Sequence, residues 1–225
     1  ALDYIDRANI DFFVIDEFYK LDIKENQDEN DSREIILNQV FYKLFKSQAN
    51  YYLLGPNIER LIAPKLNEQK YQFIKTDYKT VVSEFHQIKN NALNKEAKLL
   101  ELCEGIAGQT LIYCQSPASA NKVAELLFGN LDIERIEKNE DFVRWIRQNY
   151  HPDWKYPTYL EYGIGVHHGK IPRALAQRSV EMFNRGLLKF LICTSTLIEG
   201  VNTKARNVII YDNVVNRKKM DFFSF

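Results

Sequence analysis

The chain has 225 residues, 45% of them hydrophobic, and its 30 Lys+Arg balance its 30 Asp+Glu. That length allows one large domain or two small ones, and that apolar content excludes a disordered chain. No run approaches eighteen apolar residues and the acidic, polar start ALDYIDRANID has no basic-then-apolar leader pattern, so the chain reads as non-secreted, cytoplasmic and without a membrane-spanning helix.

The first element is DFFVID, residues 11–16, an apolar run that is too short for a helix and does not alternate. It reads as a fully buried strand of a parallel sheet that ends in the acid pair Asp16-Glu17. ENQDENDS is a polar surface loop whose Ser32 can cap the next helix, where Ile35, Ile36, Gln39, Val40, Tyr42, Lys43 and Phe45 share one face. Tyr51–Leu54 is a second strand, stopped by Gly55-Pro56, which completes a βαβ unit. Between 60 and 92, QFIKT and TVVSEF look strand-like.

Residues 94–104 look helical, and Thr110–Cys114 restarts the strands. Residues 116–131 form a helix capped by Ser116 or Ser119, with 132–150 helical after it. An aromatic, proline-containing loop leads to a strand at 163–168. A helix over 172–186, with Pro172 near its start and Gly186 at its end, precedes strands at 190–193 and 208–211. The repeated βα pattern predicts an α/β fold with a mainly parallel sheet. Ligands of such sheets gather at the C-terminal strand ends. Those ends are Asp16-Glu17, Gly55-Pro56-Asn57, Gln115-Ser116, His167-His168 and Thr194-Ser195.

Three cysteines (Cys103, Cys114, Cys193) sit among apolar neighbours and form no CxxC, which reads as buried reduced thiols and not as a zinc module. Residues 1–104 hold 14 basic and 18 acidic side chains, and the remaining 16 and 12 fall in residues 105–225. A mildly basic second half suits a polyanion.

Three stretches could carry chemistry. Asp16-Glu17 could hold Mg²⁺ through water and orient an attacking water, or simply cap a loop. CTSTLIEGVNTKARNVIIYD ends a strand in hydroxyls and contains Gly200, which suits phosphate contacts or an ordinary βα turn. GVHHGKIPR holds adjacent histidines whose fellows, His86 and His151, lie in unrelated segments, so a hydrogen-bonding pair outweighs a metal site. The tyrosines and tryptophans around residues 145–162 could stack bases, but packing is the favoured reading.

In this order, VIDEFYKLD, IYCQSP, VHHGKIPR and CTSTLIEGVNTKARNVII resemble motifs II, IV, the His-His segment and motif V of superfamily 2 DExH helicases. The narrower resemblance is to the group of archaeal repair helicases and exosome-associated RNA helicases. It implies RecA-like parallel sheets of the P-loop NTPase type: part of a first domain with a linker in residues 1–92, and a nearly complete second domain in 93–225. It also implies an ATP-dependent nucleic-acid helicase or translocase.

On that resemblance Asp16 would hold Mg²⁺ and Glu17 would be the water-polarising base. Glu199, Gly200 and Asn202 would line the ATP cleft, and Asn57 of motif III would couple it to the strand. Ser116, Thr194, Ser195, Thr196 and His168 would contact a single-stranded RNA or DNA tract.

There are departures. Tyr52-Leu53-Leu54 replaces the family's Ser-Ala-Thr, and Thr203-Lys204 its Leu-Pro. No GxxxxGK[ST] occurs in the chain. The resemblance therefore implies an internal segment running from just before motif II to just before motif VI, inactive alone. Its truncated first sheet would pair with another chain or a missing segment. Two other functions remain open: a catalytically silent nucleic-acid-binding module, and a metal-dependent hydrolase or nuclease using Asp16, Glu17 and His167-His168.

Overall fold

The computed structural model describes residues 5, 9–21, 32–55, 71–76, 84–89, 94–198, 202–215 and 218–219. The chain divides into two compact units, 1–84 and 85–225.

In the first unit, β1 (Phe12–Ile15) pairs in parallel with β2 (Asn50–Leu53), and α1 (Ser32–Lys46) connects them. Phe13 stacks on Tyr51 at 5.6 Å on one face, and Phe12 meets Tyr52 edge-on at 5.6 Å on the other. Phe13 is buried, whereas Phe12, Val14 and Tyr52 are at least half exposed. The strand expected in QFIKT is absent, since residues 72–76 adopt no regular element. Their apolar side chains are exposed, so no packed face selects the pleat. Of TVVSEF, only Glu84 and Phe85 are described, and they too are irregular.

The second unit opens with α2 (Lys95–Gly105) and is built on a four-stranded parallel sheet of β3 (Thr110–Tyr113), β4 (Ile164–His167), β5 (Phe190–Cys193) and β6 (Asn207–Ile210). Spatial order is β4-β5-β3-β6. The central strands β3 and β5 are buried at every position, as their unbroken apolar runs require, and edge strand β6 alternates. Helices α3 (Pro117–Asn130) and α6 (Arg173–Asn184) pack on β4 and β5. Gly186, at φ 76, closes α6. Phe183, Phe190, Leu127, Ile112 and Leu191 fill the core, and all three cysteines lie in it as free thiols.

Two sequence expectations change here. Residues 132–136 adopt no regular element: Ile136 is extended and its N–H donates to Glu161 O at 2.7 Å, so a 3-10 turn (Glu137–Asn139) and then α4 (Glu140–Asn149) begin only after it. The aromatic loop contains a short helix, α5 (Tyr156–Glu161), with Pro157 in its first turn, where the missing N–H costs nothing. Its rings pack on each other: Trp145, Tyr150, Trp154 and Tyr156 form a chain of contacts 4.7–6.1 Å apart. No described helix is long and apolar enough to cross a membrane.

Candidate functional site

Asp16 and Glu17 lie in the turn after β1, not on its pleat. Glu17 takes φ 54, which breaks the strand alternation, and its N–H donates to Asp16 Oδ1 at 2.9 Å. Leu54 N–H donates to Ile15 O and Phe18 N–H to Leu54 O, so β2 clamps this turn from both sides. A non-glycine residue at positive φ costs about 1–2 kcal/mol and persists only where its surroundings over-determine it. Asp16 is exposed and Glu17 half-buried. One carboxylate fixed at a strand end suits Mg²⁺, which keeps most of its waters and uses one or two protein carboxylates.

In the second unit the chain leaves β3 toward β4 and leaves β5 toward β6, in opposite directions across the sheet. Neighbouring strands that part this way create the crevice at which parallel sheets bind ligands. The crevice lies between the ends Cys114–Ser116 and Thr194–Thr196, with His167-His168 at the next end. Ser116 caps α3, its Oγ accepting from Ser119 N–H at 3.2 Å.

Thr194 is buried: its N–H donates to His167 O at 3.2 Å, and its hydroxyl lies 3.1 Å from that of Thr196. Thr196 is exposed and its Oγ1 lies 3.5 Å from His167 Nδ1, while Ser195 is half-buried at the start of α7 (Ser195–Ile198). His168 is buried, with Lys170 N–H donating to its Nδ1 at 3.3 Å and Asn121 Oδ1 3.4 Å from its Nε2. Burial pushes both histidines below the ordinary imidazole value, so they are neutral at pH 7.

The structure thus brings Thr194, Ser195, Thr196, His167 and His168 together on adjacent strand ends. Asn202 is exposed, and its carbonyl accepts from Asn184 Nδ2 at 3.3 Å while Lys204 N–H donates to Asn184 Oδ1 at 2.8 Å. Asn57, Glu199 and Gly200 lie outside the described residues. Among the described residues no three His, Cys, Asp or Glu side chains gather as a metal site.

Sequence reasoning missed Asp212, just past β6 and only 7% exposed. Its carboxylate accepts from Lys95 Nζ at 2.6 Å, Ser119 Oγ at 2.6 Å and Gln115 N–H at 3.0 Å. Burial alone raises its pKa, but those donors outweigh it and hold the carboxyl below the ordinary value. The Lys95 ammonium also sits 3.7 Å from the Tyr211 ring centroid. Asp212 therefore joins the ends of β3 and β6 to α2 and α3. The one signal available was its position, an acid directly after the apolar strand VIIY.

Residues 94–221, more than half of the chain, match the helicase conserved C-terminal domain. The chain belongs to this helicase family. The helicase chain is 39% identical over 226 residues to anti-bacteriophage protein B of Escherichia coli (strain K12), a match covering 97% of the chain and 31% of that protein. It is 31% identical over 111 residues to the DExH-box ATP-dependent RNA helicase DExH14 of Arabidopsis thaliana, covering 45% of the chain and 5% of that helicase. The chain thus spans under a third of the length of these relatives. Among solved structures, S. cerevisiae Dbp5 bound to RNA and ADP BeF3 superimposes with a TM-score of 0.51 at 16% identity, over 95% of this chain and 48% of that one. At that identity the likeness speaks for the fold, which is RecA-like.

Proposed function

We propose that this helicase segment belongs to a nucleic-acid-dependent ATPase of the DExH type, working in the cytoplasm on a single-stranded tract. The observation that carries the reading is the shared crevice: hydroxyls of Ser116, Thr194, Ser195 and Thr196 lie on neighbouring strand ends beside two neutral histidines. Hydroxyls and backbone N–H groups position phosphates without reading sequence. Thr196 and Ser195 meet the strand directly, while buried Thr194 and His168 hold the strand ends that present them.

Asp16 would hold Mg²⁺ and Glu17 would orient the attacking water. When bound, Mg²⁺ neutralises charge developing on the phosphates. Glu199, Gly200 and Asn202 would face the nucleotide, and Asn57 would couple its state to the strand. The chain has no GxxxxGK[ST] run, so the β and γ phosphates would need donors from elsewhere, and these 225 residues alone would not hydrolyse ATP. The exposed face of Phe12, Val14 and Tyr52 would be covered by further elements, from another chain or another segment.

A second reading has one observation in its favour. Tyr52-Leu53-Leu54 offers no aliphatic hydroxyls where the family has Ser-Ala-Thr, so a module that binds strands without hydrolysing ATP is the alternative. Strand-stimulated phosphate release by the full-length protein separates the two. Stimulation that is lost in Glu17→Gln supports the ATPase, and its absence beside intact strand binding supports the silent module.

A further inference from the structure

A cavity of about 380 Å³ lies beside the end of β4 and shares only His168 with the contacts assigned above. Its size falls within the roughly 300–1,000 Å³ usual for sites that enclose a small ligand group. Trp154, stacked on Tyr156 at 4.7 Å and 13°, gives it an aromatic wall. Asn121 and His168 line it from α3 and the strand end, and exposed Lys155 and Lys170 border it.

The hydrogen bonds fix what each group can offer. His168 Nδ1 accepts from Lys170 N–H, which puts the imidazole proton on Nε2, facing Asn121 Oδ1 at 3.4 Å. With the oxygen of the Asn121 amide turned to His168, its NH₂ has no partner among the described residues and is left as a donor for the cavity. Lys155 is paired with Glu125 at 2.7 Å. Lys170 has no ion-pair partner among the described residues, so its ammonium is available to an anion. An aromatic plate, an amide donor and an unpaired ammonium match the three parts of a nucleotide that proteins hold: base face, base carbonyl and phosphate. The place matches too. β4 is the next strand to β5, so a strand that crosses the sheet's C-terminal edge past Thr196 runs on to this cavity.

We propose that the cavity takes one unstacked nucleotide of a single strand, its base on Trp154, a base carbonyl on the Asn121 NH₂ and its phosphate on Lys170. The proposal rests on the nucleic-acid reading above and adds to it a subsite that holds a base.

The chain has two tryptophans, so Trp145→Phe leaves Trp154 as the sole reporter. The 225-residue Trp145→Phe chain is titrated with dye-labelled oligo(rU) and oligo(dT) of roughly ten nucleotides, a length within the 4–16 that single-strand sites span. Strand binding is read by dye anisotropy and base stacking by Trp154 quenching. Saturable quenching with the same midpoint as the anisotropy is expected, and the strand that quenches more strongly names the sugar. Trp154→Leu is expected to weaken binding about tenfold. Lys170→Ala and Asn121→Ala, at exposed positions that cannot unfold the aromatic packing, are expected to weaken it about threefold, Lys170→Ala with a shallower salt dependence. Binding without quenching, with affinity unchanged in Lys170→Ala and Asn121→Ala, overturns the subsite and leaves the nucleic-acid reading standing. No anisotropy change with either strand overturns both.

Discussion

Replacing Asp212 by alanine tests whether the C-terminal edge of the second unit is held by one buried carboxylate. The substitution removes three short hydrogen bonds, from Lys95, Ser119 and Gln115. Deleting one partner of a buried ion pair costs about 3–5 kcal/mol. Here the lysine is 29% exposed and recovers part of its hydration, which brings the ion-pair loss to roughly 2 kcal/mol. The Gln115 N–H, left without its acceptor, adds about 1 kcal/mol. The sum is about 3 kcal/mol, a large part of a domain's usual stability of about 5–15 kcal/mol.

Both tryptophans belong to this unit, so urea unfolding followed by tryptophan fluorescence reports it alone. Asp212→Asn has a further signature. The native carboxyl sits below its unfolded pKa, so its contribution is complete above that value, near 4, and fades as pH falls through the lower folded value. Asp212→Asn should thus be less stable than wild type at neutral pH, with a gap that narrows below about pH 4. A stability of Asp212→Ala within about 0.5 kcal/mol of wild type, the range of ordinary surface changes, would show that this carboxylate does not hold the edge.

Other expectations follow from single positions. Gly163→Ala should destabilise by about 1–3 kcal/mol, since φ is +69 and a Cβ would lie 2.9 Å from Ile136 Cδ1; thermal unfolding measures it. Ser116→Ala should cost about 1 kcal/mol by removing the cap on α3, read in the same assay. Glu17→Gly should relieve the positive φ and stabilise the first unit by up to about 1 kcal/mol, while removing the proposed base; urea melts beside phosphate release check both halves. The three thiols should resist a thiol reagent at pH 8 in the native chain and all react in denaturant, because burial pushes Cys103 and Cys114 up to about 12 and raises Cys193 as well.

What the sequence disclosed follows from the range of the forces involved. Strands β3 and β5 were legible because a parallel strand covered on both faces needs an unbroken apolar run, whereas β1 has the same kind of run yet leaves Phe12 and Val14 half exposed, so the expectation of a fully buried first strand is corrected. α3 was legible because Ser116 caps it from the adjacent position. Local signals misled where distant groups decide the backbone. Ile136 is drawn out of a helix by Glu161, and Pro157 with its aromatic neighbours looks like a loop until Tyr156 is packed against α6 through its hydrogen bond to Ser179 at 2.6 Å. The hydroxyls and histidines of the crevice were visible as strand ends. Asp212 was not, because its partners lie 93, 97 and 117 residues away. The cavity beside β4 was invisible for the same reason: Asn121 and His168 are 47 residues apart.

The most direct test of the central claim is strand separation of a tailed duplex by the full-length protein, wild type beside Glu17→Gln. Separation should need hydrolysable ATP and Mg²⁺ and be lost in Glu17→Gln, while single-strand affinity is unchanged. Separation that persists in Glu17→Gln, or that proceeds without nucleotide, would contradict that claim.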